Sequence, residues 1–286
     1  MRTSLSYLPQ IKQDQILQVV DIIKEVADPE KIILFGSYAK GNWVEDKYFE
    51  NGIAYDYISD YDFLIVTKKT EEKEFILKDK IMNRTRNLFK TPVNTIIHSL
   101  AYVNEGLEIG QYFFSDIIKD GVLLYESNTE PFAQPRELSN QEKKQIAMRY
   151  FQKWYNSGNA FLDTVVFSFE KGEYNLSAFL LHQTAEKYYN TVLLVFTGYK
   201  PKTHNLDILR QYTKPLSKSL FAIFPFPADN KEEEHLFDLL KRGYIDARYK
   251  DDFVITKEEV LSLISRVRKL RETVHEICQE KISSME

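Results

Sequence analysis

The chain has 286 residues, 43% hydrophobic and 28% charged, including 19 Phe and 18 Tyr. Its net charge of −4 argues against a broad, non-specific nucleic-acid surface and leaves room for a local basic patch. A single cysteine, Cys278, excludes an intramolecular disulfide and fits a reducing compartment. No apolar run reaches the ~18 residues of a membrane helix, and the opening MRTSLSYLPQIKQDQ lacks the apolar core of a secretory signal, so a cytoplasmic protein with no membrane partner is expected.

Residues 10–27 place Ile11, Ile16, Val19, Val20, Ile23 and Val26 at helical spacing, and Asp28-Pro29 ends that helix. Residues 31–35 form a β-branched run that reads as a buried strand; Gly36-Ser37 is its turn, and 38–40 begin a short helix. Residues 42–58 keep neither period and read as an inserted loop or ribbon. A second strand is expected over 60–66, a charged-faced helix over 71–90, a third strand over 92–98, a helix over 102–119 broken near Gly110, and a fourth strand over 121–126. Helices alternating with strands make this half an α/β domain, placed at residues 1–130. The polar, proline-bearing stretch 127–142 reads as a linker.

Beyond it the pattern is helical: 141–171, 175–197, shorter pieces at 207–212 and 216–224, a loop at FPFPADN, then 232–249 and 257–281. Ser139 with Glu142 and Thr256 with Glu259 have the spacing of capping boxes. Four major helices within residues 131–286 imply an all-helical bundle.

Two constellations carry chemistry. In the first, Gly36 lets an anion approach the backbone, and Ser37 adds a hydroxyl donor; Ser37 alone also suits a helix N-cap. Asp60 and Asp62, two apart on a strand, face one side about 6.5–7 Å from each other. Such carboxylates can share divalent metal ions, although alone they also suit a solvated strand end. Like charges opening an apolar strand repel unless neutralised. In the second, His182, Glu186 and Tyr189 share one helical face, His204 follows in a loop, and Arg242, Tyr244, Arg248 and Tyr249 cluster within RGYIDARYKDDF.

Strand, Gly36-Ser37, then Asp60-Tyr61-Asp62-Phe63 resembles the nucleotidyltransferase superfamily of the polymerase-beta type, above all its minimal prokaryotic branch; the resemblance covers roughly residues 10–126, ending in GVLLYE. It implies an α+β nucleotidyltransferase fold, a mixed sheet with helices, and transfer of a nucleoside monophosphate from an NTP to a hydroxyl acceptor: a small molecule, a protein or an RNA end. It assigns Gly36, Ser37 and Lys40 to the nucleotide. Asp60 and Asp62 become catalytic ligands of Mg2+ or Mn2+. The family's third acid aligns with Asn94, a neutral residue of lower metal affinity and no base strength. Asp56, in an insertion longer than is typical, is one candidate for a substitute acid. The alternative is a catalytically degenerate nucleotide-binding protein.

His182-Gln183, Ala185-Glu186-Lys187, Thr203-His204-Asn205-Leu206 and Ala247-Arg248-Tyr249 together resemble the HEPN domain over roughly 145–280. This resemblance implies a pocket of His182, Glu186, His204, Tyr244, Arg248 and Tyr249, with Arg248 clamping phosphate and Tyr244 or Tyr249 stacking on a base. Some HEPN domains are metal-independent ribonucleases marked by an Arg and, a few residues on, a His; Arg268 and His275 are the nearest match, although a solvated helix face also explains them. A homodimer through the helical half is expected by analogy of fold.

Overall fold

The structure, a computed structural model, describes residues 1–50, 53–67, 73–127, 130–224 and 231–285, without the side chains of 46–50 and 53–57. The chain divides into two compact units, Met1–Glu137 and Leu138–Glu286.

The first unit is α+β. Helix α1 (Gln10–Ala27) buries Ile16, Val19, Val20, Ile23 and Ala27 on the face expected from its spacing. It ends on Asp28, at φ 41°, whose N–H bonds the carbonyl of Lys24. There follow β1 (Pro29–Phe35), α2 (Gly36–Lys40), β2 (Glu45–Glu50), β3 (Ile53–Ile58), β4 (Tyr61–Thr67), α3 (Glu74–Thr85), β5 (Val93–Ser99), α4 (Leu100–Glu108), α5 (Tyr112–Asp120) and β6 (Val122–Glu126). The four-stranded sheet runs β5-β4-β1-β6. Strand β1 is antiparallel to β4 and β6, while β4 is parallel to β5, so the sheet is mixed. Its central strands are buried along most of their length, because helices cover both faces.

Within the insertion, β2 and β3 pair as an antiparallel ribbon, with Glu45 opposite Ile58 and Lys47 opposite Asp56. The helix expected over 71–90 is shorter: α3 ends at Thr85, whose hydroxyl donates to the Ile81 carbonyl at 3.0 Å. Residues 71–72 lie outside those described. Gly110, at φ 76°, separates α4 from α5. Residues 131–137 stay with this unit: the Ala133 N–H donates to Asn104 Oδ1 at 2.9 Å, and the Arg136 N–H to the Leu107 carbonyl at 2.9 Å.

The second unit contains α6 (Asn140–Glu170), α7 (Tyr174–Thr197), α8 (Leu206–Thr213), α9 (Lys218–Phe221), α10 (Lys231–Arg242), α11 (Asp246–Tyr249) and α12 (Lys257–Ser283). Both capping boxes form: Ser139 with Glu142 and Thr256 with Glu259. Helix α7 is the centre, buried on nearly every face and packed by α6, α8, α10, α11 and α12. The single helix expected over 232–249 is broken at Gly243, where a Cβ would fall 2.6 Å from the Ala178 carbonyl of α7; the backbone comes too close there for a side chain. The piece expected over 216–224 forms only one turn, α9, and most of the FPFPADN loop (225–230) lies outside the described residues.

Gly158 lets α6 approach α7 in the same way: a Cβ there would meet Tyr188 Cε1 at 2.6 Å. Tyr188 cannot retreat, since it is fully buried and its hydroxyl donates to Asn159 Oδ1 at 2.8 Å. Gly158→Ala is expected to cost about 1–3 kcal/mol through overpacking, measured as a lower urea midpoint at unchanged m-value. Among the described residues, no helix is long and apolar enough to cross a membrane.

Candidate functional site

Sheet register brings the first constellation together. Asp62 lies opposite Phe35 of β1 on one side and Asn94 of β5 on the other. Gly36 follows Phe35 directly, so the turn, the acids and Asn94 meet at one end of the sheet. Tyr61 and Phe63 alternate to the opposite, fully buried face. There the Tyr61 hydroxyl donates to Gln15 Oε1 of α1 at 2.7 Å and its ring packs 4.5 Å from that of Tyr38. Burial pushes the Tyr61 phenol up to about 12. This anchoring fixes which way Asp60 and Asp62 point.

The Asn94 amide donates to both carboxylates, 2.9 Å to Asp60 Oδ2 and 3.3 Å to Asp62 Oδ1. Asp60 is buried at 9% exposure, and Asp62 is half-buried. Gly36 has φ 74°, and a Cβ on it would fall inside contact distance of Asp62 Oδ2 and 3.2 Å from Asp62 Cγ. Only glycine satisfies both the backbone angle and the carboxylate beside it. Ser37 heads the short α2, where its carbonyl accepts from the Gly41 and Asn42 N–H groups. Lys40, expected at the nucleotide, is ion-paired with Asp120 at 3.2 Å. Asp56 sits on β3 opposite Lys47, but its side chain lies outside the described residues.

Two carboxylates around one shared donor form a hard oxygen set of the kind Mg2+ takes along with substrate phosphates. No group of three or more His, Cys, Asp or Glu able to hold a metal occurs among the described residues. The residues present fit a metal that is completed by its substrate, not one caged by protein alone.

In the second unit His182, Glu186, His204 and Tyr244 converge. Tyr244 stacks at 5.0 Å on His182 and at 4.8 Å on His204. Glu186 Oε2 lies 2.8 Å from His204 Nδ1 and 4.0 Å from His182 Nε2. His182 Nδ1 faces the Leu240 carbonyl of α10 at 3.1 Å, and burial holds this imidazole below the ordinary histidine range. An open pocket of about 470 Å³ is lined by His182, His204, Asp207, Lys241, Tyr244 and Asp246, among others. Arg248 does not line it. Its guanidinium lies over the rings of Phe179, Tyr244 and Tyr249 at 4.7–4.8 Å, and Nε donates to the Tyr244 carbonyl at 2.6 Å. Tyr244 is thus engaged by three neighbours, whereas Tyr249 is 72% exposed.

Arg268 and His275 are both exposed on α12. His275 lines a second pocket of about 280 Å³ together with Arg271, one turn earlier, and with Tyr155, Asn159, Glu272 and Glu276; Arg268 is not among its lining residues. The His275 ring contacts Tyr155 at 5.6 Å and Phe151 at 5.9 Å. Sequence spacing missed Arg271 because Tyr155 and Asn159 come from α6; the available signal was the i, i+4 relation of Arg271 to His275.

Residues 151–277 match the model of the HEPN domain. The helical unit carries a HEPN domain. The matched segment lies wholly within Leu138–Glu286 and includes both pockets. No curated protein matches the chain.

Proposed function

We propose that the first unit is a nucleotidyltransferase domain that takes a nucleoside triphosphate with Mg2+ or Mn2+ and passes its nucleoside monophosphate to a hydroxyl acceptor: a small molecule, a protein or an RNA end. The observation that carries this reading is the meeting of Gly36, Asp60, Asp62 and Asn94 at one end of the mixed sheet. Asp60 and Asp62 would hold the metal, which supplies neutralisation of phosphate charge when bound. Gly36 leaves backbone open to a phosphate, and Ser37 offers a hydroxyl donor. The acceptor oxygen attacks the α-phosphorus, its proton is released, and pyrophosphate departs. The test is an α-labelled triphosphate incubated with the full chain and candidate acceptors. Label transfer that requires Mg2+ is expected; transfer indifferent to EDTA, or label retained only from the γ position, removes the reading.

Asn94 favours a second reading, in which nucleotide binds but turnover is slow. Its amide cannot accept the acceptor's proton, and its donors occupy the carboxylates. Asn94→Asp is therefore expected to raise the transfer rate by about 10²-fold, the scale of one general base. Transfer by wild type that Asn94→Asp leaves unchanged argues against this second reading.

The HEPN match and the Arg271–His275 pocket support a third reading, a metal-independent ribonuclease. RNA left intact by the chain in EDTA sinks it.

A further inference from the structure

Helix α2 carries the Gly36–Ser37 turn, yet it is too short to hold itself. It has five residues, and forming a lone turn of helix is unfavourable. Phe35 at its head offers no side-chain cap, and the helix stops on Gly41 at φ 78°. The carbonyls of a last turn need donors from outside the helix.

Those donors come from the start of the chain. The Tyr7 hydroxyl is shared between the carbonyls of Tyr38 at 2.9 Å and Ala39 at 3.1 Å. The Arg2 guanidinium donates to the Ala39 carbonyl and, at 3.2 Å, to that of Asp120 where α5 ends. Burial raises the Tyr7 phenol above its ordinary range, so the hydroxyl keeps its proton at neutral pH. The arm bearing these groups is anchored independently of α2. Leu5 and Leu8 are buried in the core of the first unit. The Arg2 N–H donates to the Gly121 carbonyl at 3.2 Å, and its carbonyl accepts from the Leu123 N–H at 2.8 Å. The Arg2 guanidinium also lies 4.9 Å from the centre of the Tyr7 ring, so the two donors brace each other.

The other end of α2 bears on the acids. The Gly36 backbone lies so near Asp62 that a Cβ would collide with its carboxylate. The Tyr38 ring packs on Tyr61, which stands between Asp60 and Asp62 in the chain. Helix α2 is thus held at its carbonyl end by the arm and pressed at its other end against β4.

We propose that Tyr7 and Arg2 are positioning residues of this site. By holding the carbonyl end of α2 they set the Gly36–Ser37 turn against Asp62, and with it the affinity for a triphosphate. The inference rests on the nucleotidyltransferase reading of the first unit.

Tyr7→Phe removes the donor and leaves the ring in place. In the full chain, the Gly41 and Asn42 amides, which bond to the Ser37 carbonyl, should exchange with deuterium about tenfold faster, while β1 and β4 keep their rates. Calorimetric titration with Mg2+ and each of the four common ribonucleoside triphosphates should show binding weakened about tenfold. Ser37→Ala should weaken it too, and the double variant should fall short of the product of the two effects, because both act through one turn. Unchanged exchange at Gly41 and Asn42, faster exchange spread over the whole sheet, or effects that multiply in full overturns the proposal. Wild-type binding that Tyr7→Phe leaves intact removes this role alone. Wild type that binds none of the triphosphates removes the nucleotidyltransferase reading, and this role with it.

Discussion

Asp62→Asn is expected to lower Mg2+-dependent transfer by about 10³-fold, equivalent to roughly 4 kcal/mol of transition-state stabilisation. The substitution keeps size and strand geometry, and an amide oxygen can still accept from Asn94, now at 3.3 Å from Asp62 Oδ1. What disappears is one of two negative charges facing the proposed metal. Asp60→Asn should behave alike, because Asn94 links the two carboxylates, and the double variant should fall little further. Removing one member of a set that acts as a unit already removes most of its effect. Steady-state transfer from α-labelled triphosphate measures the loss. Unfolding in urea is expected to stay within about 1 kcal/mol of wild type, because each substitution keeps the side chain's size and removes one of two neighbouring like charges. Equal labelling by wild type and the double variant would falsify the assignment of the site.

Gly36→Ala is expected to separate function from fold in a different way. The left-handed backbone at φ 74° costs an alanine about 1–2 kcal/mol, and its methyl group must push the Asp62 carboxylate aside. Asp62 sits in the middle of three paired strands, so its side chain yields before the sheet does. A shift of this size at a reacting group costs on the order of 10²-fold in rate. The expected result is a modest fall in urea midpoint together with about 10²-fold lower kcat/KM. A fall in stability with full activity would show that Gly36 serves the turn alone.

Local chemistry made much of the fold legible. Helices α1, α6, α7 and α12 follow apolar spacing, and both capping boxes are written in residues three apart. What sequence could not supply was set by partners far away in the chain. The break at Gly243 depends on how closely α7 passes. The β2–β3 ribbon depends on cross-strand pairing, since its residues follow no clean alternation. At the candidate site, Gly36, Asp60, Asp62 and Asn94 could be named from sequence, but the amide bridging both acids follows from the parallel register of β4 and β5. Lys40 looked free for phosphate because its partner, Asp120, lies on α5. Arg271 went unnoticed because nothing in α12 alone reveals the α6 wall of the pocket it shares with His275. The meeting of His182, Glu186, His204 and Tyr244 is likewise invisible until α7, α10 and the loop carrying His204 are brought together.

The placing of β1 between β4 and β6 governs the order in which the first unit can be completed. Strand β1 pairs at Ile32 with Tyr125 and at Leu34 with Val122, and Arg2 bridges to Val122 as well. During synthesis the hairpin-like β1–β4 pair and the β4–β5 crossover can form early, but one edge of β1 stays open until residues 122–126 have left the ribosome. Contacts this distant in sequence form late and slowly, and an open apolar edge is a template for pairing with other chains. Chains ending before Val122 should therefore aggregate, whereas chains ending just after residue 137 should fold, ahead of and without the helical unit.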